Sequence, residues 1–322
     1  MNFPSDEELM SGEDVTPEHL IAEYPEDFRA GFACMVGRPN VGKSTLTNAM
    51  VGQKIAITSL RPQTTRHTIR GVIHRDDAQL VLVDTPGFHR PRTLLGKRLN
   101  DVVRETLTQV DVIVVCLPAT DEIGPGDRFI VSEAAATKTP MVAAITKTDL
   151  AGKDRTARAL IEASQLADFV DLVPVSAVSG HQVDTLTDVL ISHVPLSPPL
   201  YPAGDITDEP ENVLIAEFVR EAALEGVREE LPHSLAVVVE ETRRMPAKNG
   251  GDMLHVYCTL YVERDSQKAI VIGRGGSRLR DVGARARQQI QALLGEMIYL
   301  DLHVKVAKDW QRDPKLLGRL GF

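Results

Sequence analysis

Gly37-Arg38-Pro39-Asn40-Val41-Gly42-Lys43-Ser44 fills all eight positions of the pattern G-x-x-x-x-G-K-[ST], a loop whose backbone N–H groups wrap phosphate oxygens. The apolar run Ala30 to Val36 precedes it and reads as a buried strand, and Thr45 to Met50 continue as a helix. The pattern therefore stands between strand and helix, the context its chemistry needs. Gly37 and Gly42 let the chain curl with its amides inward at a helix N-terminus, where the dipole also favours anions. Lys43 adds a point charge, and Ser44 offers a hydroxyl to a Mg²⁺ between the terminal phosphates. Arg38, Pro39, Asn40, Val41 and Thr45 complete the expected nucleotide-binding loop.

Working outward, Thr68 to His74 and Ala78 to Val83 read as a hairpin around Asp76-Asp77. Strand and helix patterns then alternate: Val112 to Leu117, Arg128 to Thr137, Met141 to Ile145, Arg155 to Ala167, Leu172 to Val175 and Val183 to His193. Such alternation predicts an α/β fold with a mostly parallel sheet covered on both faces, its ligand at the carboxyl ends of the strands. Several prolines between Val194 and Asn212 predict a stiff linker. Beyond it, a helix pattern at Val213 to Glu230 leads into strands at Ser234 to Glu240 and Met253 to Val262, joined by a turn from Pro246 to Asp252. Ser266 to Val271, a glycine turn, a helix from Ser277 to Leu294 and a strand from Met297 to Val306 follow. The expected division is a leader at 1–29, a nucleotide-binding domain at 30–193, a linker at 194–212 and an α+β domain at 213–322.

The motifs fall at the strand ends. Asp84-Thr85-Pro86-Gly87 follows a strand; Asp84 is placed to reach Mg²⁺ through water, and the Gly87 N–H to meet the γ-phosphate. In Gln63-Thr64-Thr65-Arg66-His67 a threonine hydroxyl can join the metal shell; Thr65 is preferred over Thr64, and His67 reads as a loop histidine without catalytic duty. In Thr146-Lys147-Thr148-Asp149, Asp149 can accept both N–H bonds of a guanine edge, a donor pair adenine lacks, while the stem of Lys147 covers the ring. Ser176-Ala177 would bring a backbone N–H to guanine O6. GTP or GDP with Mg²⁺ is the expected ligand set.

In the second half, Gly273-Arg274-Gly275-Gly276 lies between two helices after two strands. The order α-β-β-α-α-β around it resembles a type II KH domain, which clamps about four unpaired nucleotides in that loop. Seven bases, Arg264, Lys268, Arg274, Arg278, Arg280, Arg285 and Arg287, face only Asp265 and Asp281 over this stretch. A chain of net charge -9 thus carries a local basic patch suited to phosphate. Gly273, Arg274, Gly275, Gly276, Arg278 and Arg280 are the expected RNA contacts.

Together these motifs, with Val271 to Ser277 among them, resemble the ribosome-assembly GTPases of the TrmE-Era type, and residues 31 to 322 carry the likeness. The resemblance implies a GTP-hydrolysing switch whose RNA is the 3′ end of 16S ribosomal RNA and which assists assembly of the 30S subunit. It implies catalytic roles for Lys43, Thr65 and Gly87, and for Asn40, which can hold a K⁺ beside the β- and γ-phosphates. Two positions depart from related patterns. Thr146 stands where the base motif usually has Asn, and one lost buried hydrogen bond costs about 1–3 kcal/mol, roughly one to two powers of ten in affinity. Phe88 stands where Ras-like enzymes have a water-orienting Gln, so intrinsic hydrolysis is expected to be slow.

Bulk properties bound the alternatives. The first 29 residues hold nine acids and only Arg29 as a base, and read as a disordered leader with a short helix at most around Pro17 to Ala22. Without them the chain is close to neutral. Cys34, Cys116 and Cys258 lie in apolar strands and read as buried free thiols in a reducing cytoplasm. No apolar run approaches about 18 residues, so no segment is expected to span a membrane. A monomer is expected. The competing reading is a GTP-regulated interaction protein with peripheral membrane association, whose C-terminal domain binds protein or lipid in place of RNA.

Overall fold

The computed structural model describes residues 24–58, 65–88, 91, 93–225, 234–246 and 252–322. The leader helix around Pro17, Gln63 and the alternative ligand Thr64, the helix beyond residue 225 and the tip of the turn after Pro246 lie outside the described residues. The first unit runs β1 (Arg29–Val36), α1 (Lys43–Val51), β2 (Ile69–His74), β3 (Ala78–Asp84), α2 (Leu94–Leu107), β4 (Val112–Pro118), α3 (Pro125–Ala135), β5 (Met141–Thr146), α4 (Thr148–Ser164), β6 (Asp171–Pro174) and α5 (Val183–His193).

Its sheet has the order β2-β3-β1-β4-β5-β6, parallel except for β2, which pairs antiparallel with β3 as the hairpin pattern predicts. β3, β4 and β5 are buried along their whole length, as runs covered on both faces must be. Alternation in β1 shows how: Ala33 and Met35 pack with Leu46 of α1 and Leu186 and Leu190 of α5. Cys34 and Val36 face the other way, toward Val103 of α2, Ile130 of α3 and Ala159 of α4. The three cysteines are buried free thiols.

Three expectations are corrected. Arg29 belongs to β1, paired with Ala78, and Phe28 is buried, so residues 24–29 fold with the first unit and are not part of a disordered leader. The proline-rich segment is no free-standing linker but a strap on the sheet edge: Val72 N–H donates to Ile206 O (2.9 Å), and the buried Gln79 accepts from Leu200 and Tyr201 N–H (2.6 and 2.9 Å). It shields the exposed rim of β2, where an open strand edge invites pairing with other chains. The third is α2, absent from the sequence reading, although Thr93 caps it and Leu95, Leu99, Val103 and Leu107 recur at helical spacing.

The second unit follows as α6 (Glu211–Leu224), β7 (Ala236–Pro246), β8 (Asp252–Val262), α7 (Asp265–Ile272), a short 3₁₀ turn at Arg274–Gly276, α8 (Ser277–Leu294) and β9 (Ile298–Val306). This is the expected α-β-β-α-α-β order, with β7 and β8 antiparallel and β8 and β9 parallel. β7 runs to Pro246, past its expected end at Glu240, across a bulge between Val239 and Glu241. Phe218, Val282, Ala286 and Ile290 cover one face of this sheet. A second 3₁₀ turn at Trp310–Arg312 and α9 (Pro314–Arg319) cross its other face, an element the sequence reading lacked. Among the described residues no helix is long and apolar enough to cross a membrane.

Candidate functional site

The phosphate loop closes on itself through Lys43. Its ammonium, only 5% exposed, donates to Gly37 O (3.2 Å) and Arg38 O (3.1 Å) and so fills the cradle its amides form. Burial holds its pKa below the ordinary lysine value, with Asp84 opposing. Gly42 caps α1 at φ 104, a left-handed conformation that glycine adopts without strain. Gly87 is required for another reason: a Cβ there would lie 3.0 Å from Pro39 N, so only glycine lets the metal-side turn approach the loop. Arg38 contributes backbone alone, because its guanidinium turns away to Asp127 (2.7 Å) at the start of α3.

Three oxygens converge beside this cradle. Ser44 Oγ donates to Asp84 Oδ2 (2.7 Å), Thr65 Oγ1 lies 2.9 Å from Ser44 Oγ, and Thr65 also reaches Asp84 Oδ2 (3.3 Å). Asp84 Oδ1 is buried without a hydrogen-bond partner among the described residues, and burial raises this carboxyl's pKa, offset in part by Lys43. Hard, mutually bonded oxygens around a desolvated carboxylate fit Mg²⁺, whose charge they would share with phosphate and water. Phe88 is buried and meets Phe129 edge-on (5.9 Å), directed into the packing below α3 and not toward the phosphates.

At the base end, Thr146 Oγ1 donates to Val41 O (2.6 Å) and Lys147 Nζ to Asn40 O (2.6 Å). The hydroxyl at 146 therefore keeps the tether to the phosphate loop. Asp149 Oδ1 accepts from Ser176 Oγ (2.7 Å), which holds the carboxylate in place; this contact escaped the sequence reading. Ser176 N–H donates to His181 O (3.0 Å) and is thereby engaged within its own turn.

In the second unit, Gly273, Gly275 and Gly276 all take positive φ (73, 59 and 76), and Arg274 and Arg280 are exposed around them. Arg278 departs from its expected role: its guanidinium donates to Ala223 O (3.3 Å) and Glu225 O (2.8 Å), closing the C-terminal end of α6. Arg285 likewise pairs with Glu225. Beside the loop lies a cleft of about 300 Å³ lined by Leu279, Leu300 and Leu302 together with Arg280 and Arg287. Leu300 and Leu302 were not singled out in the sequence because β9 comes beside α8 only in the folded sheet, whereas Arg287 already stood in the basic patch.

A lysine-filled phosphate cradle, a desolvated magnesium position and a braced aspartate for guanine place the first unit in the P-loop GTPases. The family model described as 50S ribosome-binding GTPase matches residues 32–147, and that of the KH domain matches residues 230–311. A protein called GTPase Era from Mycobacterium avium (strain 104) is 64% identical over 299 residues, covering 92% of this chain and 99% of the relative. GTPase Era of Streptomyces coelicolor is 62% identical over 301 residues, covering 91% and 95%. A crystal structure of Era in complex with MgGDPNP and nucleotides 1506-1542 of 16S ribosomal RNA superposes with a TM-score of 0.87 at 35% identity, covering 91% of this chain and 99% of that one. An Aquifex aeolicus Era variant bound to GDP and AlF4⁻ gives the same values. The chain belongs to the Era family of GTPases; it binds GTP and GDP with Mg²⁺ and hydrolyses GTP.

Proposed function

We propose that this chain is a nucleotide-controlled switch that holds the 3′ end of 16S ribosomal RNA in the cleft beside Gly273–Gly276 and assists assembly of the 30S subunit. The observation that carries the reading is that cleft: leucine and arginine side chains lining it next to a glycine loop with exposed Arg274, Arg280 and Arg287, in one chain with a GTP site. It is supported by the related Era structure that contains nucleotides 1506-1542 of that RNA. Single-stranded recognition combines a backbone clamp with base contacts, and the cleft offers both.

At the nucleotide, Ser44, Thr65 and Asp84 would hold Mg²⁺, which neutralises charge between the β- and γ-phosphates. Lys43 and the amides of the loop and of Gly87 orient the phosphates, and these fixed dipoles act where charge develops. Asp149, braced by Ser176, reads guanine. With Phe88 packed inward, its position supplies no side chain to orient water, and turnover without a partner is expected to be slow. The GTPase unit is proposed to end at His193 and to begin ahead of β1, with Phe28 and Arg29 inside it, and the KH unit to begin with α6 at Glu211, the two joined by the strap.

The test is Arg274→Asp with Gly275→Asp, which sets two carboxylates where a phosphate would lie. Affinity for an oligonucleotide of the 16S 3′ end, read by fluorescence anisotropy, is expected to fall by more than about tenfold, with a shallower salt dependence. Basal GTP hydrolysis stays unchanged. Undiminished RNA binding would move the contact elsewhere.

A further inference from the structure

The segment that carries Thr65 is gripped by the KH unit at both of its described ends. Before it, Ile57 is buried in the hydrophobic core of the second unit, Lys54 pairs with Glu221 of α6, and Thr58 N–H donates to Glu221 Oε1 (2.7 Å). After it, Arg66 is 3% exposed; its guanidinium donates to Leu235 O (2.6 Å) and lies over the rings of Trp310 (5.6 Å) and Phe322 (5.9 Å). His67 stacks on Phe322 at 5.0 Å and 18°. Phe322 in turn stacks on Trp310 at 5.6 Å, and its main-chain oxygen accepts from Arg98 of α2 (2.6 Å). Trp310 is fully buried and donates to Ser234 O (3.0 Å).

We infer that Phe322, Trp310 and Glu221 are positioning residues for GTP hydrolysis, acting through Arg66 and Thr58 to set Thr65 against the metal. One peptide bond separates Thr65, 2.9 Å from Ser44 Oγ, from an arginine that the other unit holds through Leu235 O and the rings of Trp310 and Phe322. A buried cation on two aromatic faces, with a main-chain acceptor, has few alternative placements. The KH unit is therefore a structural part of the GTP-sensing loop. Because Thr65 meets the metal only when a γ-phosphate is present, the aromatic pair is tuned to GTP and not to GDP. The inference rests on reading Thr65 as a Mg²⁺ ligand.

Phe322→Ala in the full chain tests it. Expected is a fall in kcat of about ten- to a hundredfold, the scale of a small misplacement of a reacting constellation. GDP affinity stays at the wild-type value, and the Mg²⁺ concentration needed to bind a non-hydrolysable GTP analogue rises. Phe322→Tyr, which keeps a ring, restores both. Trp310 is the only tryptophan of the chain, so its emission reads the contact directly: exchanging GDP for the analogue shifts it in the wild type and not in Thr65→Ala. An unshifted wild-type spectrum would overturn the inference, as would Phe322→Ala with wild-type kcat and Mg²⁺ dependence. Wild-type kcat in Thr65→Ala would instead remove the reading of Thr65 itself.

Discussion

Thr146 shows how one side chain can be half of another. A carboxamide at this position can tether the phosphate loop and touch the base, and the hydroxyl retains the first duty through its 2.6 Å bond to Val41 O. That bond is buried, so removing the donor leaves a carbonyl unsatisfied beside the cradle. Thr146→Ala is expected to weaken GTP and GDP equally, by about 1–3 kcal/mol, or roughly one to two powers of ten; equilibrium titration with a fluorescent nucleotide reads both. A selective loss of GTP would mean that Thr146 senses the γ-phosphate and not the loop.

At the scale of elements, α2 matters out of proportion to its signal. It begins soon after the metal-side turn and presents two faces: Val103 and Leu107 seal the GTPase core, while Leu95 and Leu99 pack with Trp310, Leu317 and Leu320. Its apolar residues therefore answer to two cores, and the single-stripe pattern expected of a surface helix is blurred. Leu99→Ala opens the smaller core and should lower stability by about 2–5 kcal/mol. Urea unfolding measures the loss, and Trp310 emission should report earlier exposure than far-ultraviolet dichroism if this core fails first. Coincident transitions with wild-type stability would show that the contact is dispensable.

The two units join through a buried set of charges: Arg66 and His67 from one side, Glu217 and Arg220 of α6 from the other, the latter paired at 2.6 Å. Burial, with Arg220 and Arg66 adding and Glu217 opposing, lowers the pKa of His67 below its ordinary 6.5. Below that value the unfolded chain binds a proton the folded one refuses, so the stability this histidine contributes is present above pH 6.5 and is lost as the pH falls through its folded value. The melting temperature should therefore drop more between about pH 7 and about pH 5 in the wild type than in His67→Phe, which keeps the stack on Phe322 without a titrating group. Equal pH slopes would place the protonation elsewhere. Glu217, held below its ordinary carboxylate value because Arg220 outweighs the cost of burial, titrates in a lower window.

Residues 37–44, 84–87, 146–149 and 273–276 were legible in the sequence because each is a short local pattern at a fixed place in the chain: a loop at a helix start, turns at strand ends, a glycine bend between helices. The doubly covered sheet followed from unbroken apolar strands, and the KH order from strand and helix periods. What sequence could not give were partners distant along the chain. Nothing near Ser176 announces that its hydroxyl braces Asp149; nothing near Arg278 says that its guanidinium closes the end of α6. Trp310 and Phe322 carried no motif, and His67 read as a loop histidine without catalytic duty. Only the packing of the second unit on the first makes them a support for Thr65, because burial and stacking are decided by which surfaces meet, and adjacency in sequence carries no record of that.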